Sequence, residues 1–170
     1  MSARRSALFI NENPQVILKG AHMIIYFSAV LNEIHLLGSK YPWPKPDVCP
    51  RCNRCRVWGH GFITAYFDGY NDPLPLKRYR CPDCGCIMRL RPKGYFKRFQ
   101  ASITTIRSSV VYKIRFGKWI DGISRSRQQH WFKSLIKRIK AHLTDAWQQG
   151  VLAGFDYFLK SGQAPVSRSI

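Results

Sequence analysis

The sequence predicts an α+β chain in three parts: a short N-terminal segment, a β-rich middle organised by cysteines, and a helical C-terminal region. Three observations carry this. All six cysteines fall between positions 49 and 86. Apolar residues recur most regularly at steps of three and four after position 96. The run Tyr41-Pro42-Trp43-Pro44-Lys45-Pro46 punctuates the chain just before the first cysteine, and residues that precede proline are held extended. A chain of 170 residues has room for one domain or two small ones.

The parts are taken in order. Within 16–37, Ile24-Ile25-Tyr26-Phe27 has strand character, whereas Val30, Leu31, Ile34 and Leu37 have helical spacing. The segment is therefore one helix, or a strand followed by a helix. With the proline-rich linker it forms a unit expected over 1–48. Residues 49–95 read as short strands and turns. Phe67 to Pro75 is a loop tip, because Gly69, Asn71-Asp72-Pro73 and Pro75 crowd into it. A helix is expected over 96–115, on the stripe Phe96, Phe99, Ile103, Ile106, Val110 and Ile114, with Gly117 as its stop. Ser124 is placed to cap the next helix, which runs to about Leu143. Its apolar side is Trp131, Phe132, Leu135, Ile136, Ile139 and Leu143. A fourth helix, 144–160, is expected to bury Trp147, Val151, Phe155 and Phe158, completing the region 96–160. A flexible tail, 161–170, follows.

Charge narrows the partner. The chain carries 28 Lys+Arg against 9 Asp+Glu, a formal net charge of +19. Such self-repulsion is offset by a polyanion, nucleic acid before an anionic membrane. The excess is concentrated: residues 96–143 hold twelve bases and one acid. Arg4 and Arg5 precede only the four-residue apolar run Ala7–Ile10, too short for a secretory core. The longest apolar run, Met23 to Leu31, falls far short of the about 20 residues that cross a bilayer. The expected setting is the cytoplasm, without a membrane partner, where thiols stay reduced.

Cys49-Pro50-Arg51-Cys52 and Cys81-Pro82-Asp83-Cys84 repeat one pattern, with 28 residues between Cys52 and Cys81. Two residues between thiolates let a tight turn offer both sulfurs to one ion, and a tetrahedral zinc takes two such turns. The spacing predicts a structural zinc ribbon with Cys49, Cys52, Cys81 and Cys84 as ligands. Cys55 and Cys86 are alternates, read first as small apolar fillers, and His60 is a weaker substitute. Four thiolates leave no open coordination position for catalysis.

The run Cys49-Pro50-Arg51-Cys52, then His60-Gly61, then Arg78-Tyr79-Arg80-Cys81-Pro82-Asp83-Cys84-Gly85 resembles the zinc-ribbon segment at the front of bacterial insertion-sequence transposases. It is also similar to stand-alone zinc-ribbon proteins of unknown function found near mobile elements. The resemblance covers about residues 49–143 and implies a helix-turn-helix after the ribbon. It departs where Cys86-Ile87-Met88-Arg89-Leu90 stands in place of a Thr-Phe-type strand. The acidic triad of a transposase nuclease domain is missing, since after Leu143 the chain offers only Asp145 and Asp156. The resemblance thus implies a non-enzymatic DNA-binding accessory protein in a bacterial, nucleoid-associated setting, serving a separate transposase or recombinase. A transcriptional regulator and an RNA-binding zinc-ribbon protein are the other readings; Phe62, Tyr66 and Phe67 speak for the RNA reading.

The expected recognition helix opens with Ser124-Arg125-Ser126-Arg127-Gln128-Gln129. Arg and Gln pair bidentately with guanine and adenine in the major groove, and recognition helices read with their N-terminal residues. Arg125, Arg127, Gln128 and Gln129 are therefore candidates for base edges or phosphates, although Gln128 falls near the apolar sector. Lys133, Lys137, Arg138 and Lys140 fit phosphates, with Arg78 and Arg80 as a second basic surface. The near-neutral C-terminal helix, with Trp147, Phe155, Tyr157 and Phe158, either completes the core or makes a homo-oligomer contact.

Overall fold

A computed structural model describes residues 22–143 and 147–168; the apolar run after Arg5 and Asp145 lie outside the described residues. The chain is mixed α+β, a four-stranded sheet followed by helices. The segment left open in the sequence is a strand, β1 (His22–Phe27), then a helix, α1 (Leu31–Leu37). Next come β2 (Trp58–Ala65), β3 (Leu74–Arg80) and β4 (Ile87–Pro92). The strands lie in the order β1-β4-β3-β2, with β1 parallel to β4 and the other pairs antiparallel. The proline-rich run does not end a separate unit. Phe27 packs on Tyr41 and Trp43, and Trp43 on Phe62, so residues before 49 share the sheet's core.

That core joins Met23, Phe27, Ile34, Leu74, Leu76, Tyr79, Met88 and Leu90 with the buried Cys49, Cys81 and Cys86. The loop expected after Phe67 is present, but Phe67 is buried and Leu74 already begins β3. Between Gly59 and Phe62 the register of β2 slips by one residue against β3. His60-Gly61 is thus a bulge opposite Arg78, with Gly61 at φ 68°, a left-handed conformation that favours glycine. The nearest atom to a side chain added at Gly61 is a guanidinium nitrogen of Arg78, at 3.7 Å.

The helical half holds α2 (Ile103–Phe116), α3 (Arg125–His142) and α4 (Gly150–Lys160). The expected start at 96 is corrected. Phe96 and Phe99 are buried in a loop, and Ser102 caps α2 by accepting from the Thr105 amide at 3.0 Å. Gly117 ends α2 at φ 68°, as its position predicts. Ser124 sits at the N-cap of α3, yet its hydroxyl bonds Ser126 at 2.8 Å and caps no amide. A second core gathers Phe96, Phe99, Ile106, Val110, Trp131, Leu135, Ile139, Phe155 and Phe158. Trp147 and Val151 pack only partly against it, and Tyr157 is exposed. The tail expected to be loose is docked where it is described: Val166 is buried, and Ser167 bonds Ser134 and His130. Among the described residues no helix is long and apolar enough to cross a membrane.

Candidate metal centre and basic surfaces

Both knuckles sit at one end of the sheet, the first entering β2 and the second forming the turn between β3 and β4. Each is closed by the same local device. The Asn53 amide donates to Cys49 O at 2.8 Å, and the Gly85 amide to Cys81 O at 3.0 Å. Asn53 and Gly85, one residue past each second cysteine, share a left-handed backbone at φ 56° and 68°. The two turns bring Cys49, Cys52, Cys81 and Cys84 together with all four sulfurs within 4.8 Å of one another. Cys49 and Cys84 are 3.6 Å apart, and Cys52 and Cys81 are 3.5 Å apart. A tetrahedral ion with metal–sulfur bonds of about 2.3 Å sets its ligands about 3.8 Å apart. The four thiols therefore fit a metal ion such as zinc.

Electrostatics agree with a shared cation. Burial pushes the Cys49 thiol up, but amide hydrogen bonds from Cys52 and Arg51 and thiol bonds from Cys84 and Cys52 outweigh it and bring it to about 7. At Cys52 the Arg54 amide lowers the value, while burial and the hydrogen bonds to Cys81, Cys84 and Cys49 overcome it and push it to about 12. The four sulfurs share one hydrogen-bonded cluster, and an ion bound among them would favour their thiolate forms. Cys86 is buried and pushed up to about 11, chiefly by desolvation and then by the charges of Cys49 and Cys84; it is a protonated filler. Cys55 is exposed and is neither a core filler nor a member of the cluster. His60, in the bulge, is also outside it. Among the described residues no other group of three metal-binding side chains comes together.

The residues expected to touch DNA divide. Gln128 is fully buried and does not reach solvent. Its side-chain nitrogen donates to Ile120 O at 2.8 Å and Ile123 O at 2.9 Å. Its oxygen accepts from Ser109 Oγ at 2.7 Å and the Ile120 amide at 3.1 Å. It is a clamp on the turn between α2 and α3, and no capacity remains for a base. Arg127 makes a two-point ion pair with Asp68, at 3.1 and 3.0 Å, and lies over Trp131. It joins the helical half to the β2–β3 loop. Arg138 donates to Gln163 at 3.0 Å and lies over Phe158, fastening the tail. Trp131 is in the core, as its stripe predicts.

The rest of the set stands together. Arg125, Lys133, Lys137 and Lys140 are exposed on α3 and Gln129 is half-buried. Arg125, Gln129, Lys133 and Lys137 follow one another at steps of four, a ridge that winds slowly around the helix. Arg80 is exposed near the knuckles, whereas Arg78 is half-buried at the bulge with its Nε unpartnered.

Sequence reasoning missed Arg89, Arg91 and Arg98. For Arg89 and Arg91 the signal was the period of two in Ile87-Met88-Arg89-Leu90-Arg91: Met88 and Leu90 take one face, so these arginines take the other; Arg98, in the loop after β4, carried no such signal. No family model, curated protein or solved structure matches the chain.

Proposed function

We propose that this chain is a DNA-binding accessory protein whose zinc ion is structural, holding element-end or target DNA for a separate transposase or recombinase. The observation that carries the reading is the row on α3. Arg125, Gln129, Lys133 and Lys137, with Lys140 beyond, face solvent on a helix whose preceding turn is fixed by Gln128. A second helix before it, joined through the stretch 117–124 that Gln128 clamps, supports a helix-turn-helix-like reading. Lys133, Lys137 and Lys140 supply phosphate contacts, and Arg125 and Gln129, in the first turns, are the remaining candidates for bases. The net charge of +19 supports a polyanion partner. The mobile-element role rests on the resemblance of the cysteine, His-Gly and Arg-x-Arg-Cys residues to transposase ribbons. Zinc is favoured by the four-thiolate donor set. With no group but thiolates at the metal, the protein acts by binding and not by cleavage.

The test is a titration of duplex DNA at several salt concentrations. Changing Lys133, Lys137 and Lys140 together to Gln should weaken selected and random duplex alike and lower the salt slope by roughly three units. Gln129→Ala should act on the selected site only. Unchanged duplex binding in the triple variant would refute the reading. An RNA reading is favoured by the exposed rings of Trp58 and Tyr66 on the ribbon; single-stranded RNA outcompeting duplex would establish it instead.

A further inference from the structure

A cleft of about 980 Å³ lies away from the outward row of α3 and from the metal centre. Its floor is the sheet face that carries Ile63, Leu76 and Arg89, and its walls are the loop 97–100, the start of α3 and the C-terminal stretch at Arg168. Among the described residues no carboxylate lines it. Asp68, close by, is already engaged with Arg127. Arg89, Lys97, Arg98 and Arg168 have no ion pair among the described residues, and Arg89 Nε is buried without a hydrogen-bond partner.

The loop that carries Arg98 is held from beneath. Arg91 donates to Tyr95 O at 3.3 Å and to Phe99 O at 2.6 Å, and Phe96 and Phe99 are anchored in the second core. Between these anchors Arg98 takes a left-handed backbone at φ 66°, one of two non-glycine residues to do so among those described. A strained conformation fixed on both sides, bearing an exposed cation into a basic cleft, is the form in which binding sites store strain.

We propose that this cleft binds a short stretch of single-stranded DNA, with phosphates on Arg89, Lys97, Arg98 and Arg168 and a base against the exposed ring of Tyr66. Four cations without acidic partners call for several phosphates, which a strand supplies and a lone phosphate does not. The volume is at the upper end of small-ligand pockets, so a duplex does not enter. A positive groove with an aromatic ring beside it is the arrangement that tracks a single strand. The site goes beyond the duplex row on α3 and does not depend on it. With both occupied, the protein would hold DNA where duplex gives way to single strand.

The experiment uses the full metal-loaded chain and fluorescently labelled oligothymidylates of increasing length. Affinity should rise with length until the cleft is filled. Arg89→Gln and Arg98→Gly should each lower the salt slope of single-strand binding by about 0.7 and leave duplex binding unchanged. Arg98→Gly should also keep or raise the melting temperature, because glycine accepts the positive φ, so a loss of binding is not a loss of fold. Arg98→Lys should retain most of the binding. The Lys133, Lys137, Lys140 triple variant should lose duplex and keep oligothymidylate. Unchanged oligothymidylate affinity in the Arg89→Gln, Arg98→Gly double variant would overturn the proposal. So would binding that is independent of length and displaced by pyrophosphate, which marks a small-anion site, or a preference for oligouridylate, which marks RNA. Single-strand binding without any duplex binding would sink the proposed function and leave the cleft standing.

Discussion

The sheet half and the helical half are held together by different means. In the sheet half, two turns present four thiols to one point, and Cys49, Cys81 and Cys86 are themselves buried members of its core. Exposed Arg56 and partly exposed Asp83 add only a loose ion pair at 3.4 Å between the knuckles. In the helical half, α2, α3 and α4 close on Trp131, Leu135, Phe155 and Phe158, and one buried amide, Gln128, fixes the turn. Both halves carry an apolar core of similar size, but only the sheet half has turns that meet through four thiols, and a metal bound there adds its binding free energy to the folding of that half alone. The two halves should therefore fail separately, apart from the bridge that Arg127 makes between them.

The largest effect is expected in the sheet half. Metal analysis should find about one zinc per chain, and Cys81→Ser should lose the ion and unfold the sheet half while much of the helical circular dichroism remains. A metal-free chain with its sheet intact would break the comparison. On the helical side the counterpart is Trp131→Ala. Truncation of a side chain 1% exposed should cost about 3–5 kcal/mol, read by denaturant unfolding, with zinc content unchanged.

Gln128→Ala comes next. It strands the Ser109 hydroxyl and the Ile120 and Ile123 backbone groups, and a buried group without a partner costs about 1–3 kcal/mol. The expected signature is a lower melting temperature with duplex affinity per folded molecule preserved, which a base-reading glutamine would not give. Arg127→Ala removes the bridge between the halves. The pair is partly exposed, so the loss should stay below about 1 kcal/mol. Because Arg127 is occupied by Asp68, selected and random DNA should respond alike.

The smallest effect concerns pH. The hydrogen bond from Arg107 holds the Asp156 carboxyl below its ordinary value, against desolvation. A carboxyl whose folded value is depressed adds stability above its unfolded range, and that increment fades as pH falls through the folded value. The melting temperature should therefore decline slightly in acid below the usual carboxylate range, and Asp156→Asn should flatten the decline. Both side chains are more than a third exposed, so the increment is small.

The sequence was most legible where a local pattern meets a fixed physical demand. Two-residue spacing between thiols requires a turn, and the four sulfurs meet as that spacing predicts. The stripe Ile106, Val110 and Trp131, Leu135, Ile139 faces a core as helical period predicts, whereas Ile114, expected on the same stripe, is exposed near the end of α2, beyond the reach of that core. Legibility ended where long-range contact decides. Phe96 and Phe99 continue the α2 stripe in sequence, yet Arg91 captures their loop and the helix waits for the Ser102 cap. Gln128 and Arg127 read as DNA contacts because Gln and Arg suit bases. Their partners, Ser109 and Asp68, lie 19 and 59 residues away. The pairing of β1 with β4, a parallel join across most of the sheet half, has no local signature either.

The most direct measurement is amide hydrogen exchange on the full chain, with zinc present and after its removal under reducing conditions. Protection across β2, β3 and β4 should collapse when the ion is taken away, while α2 and α3 keep theirs. Equal loss in both halves, or a sheet that stays protected without metal, would contradict this.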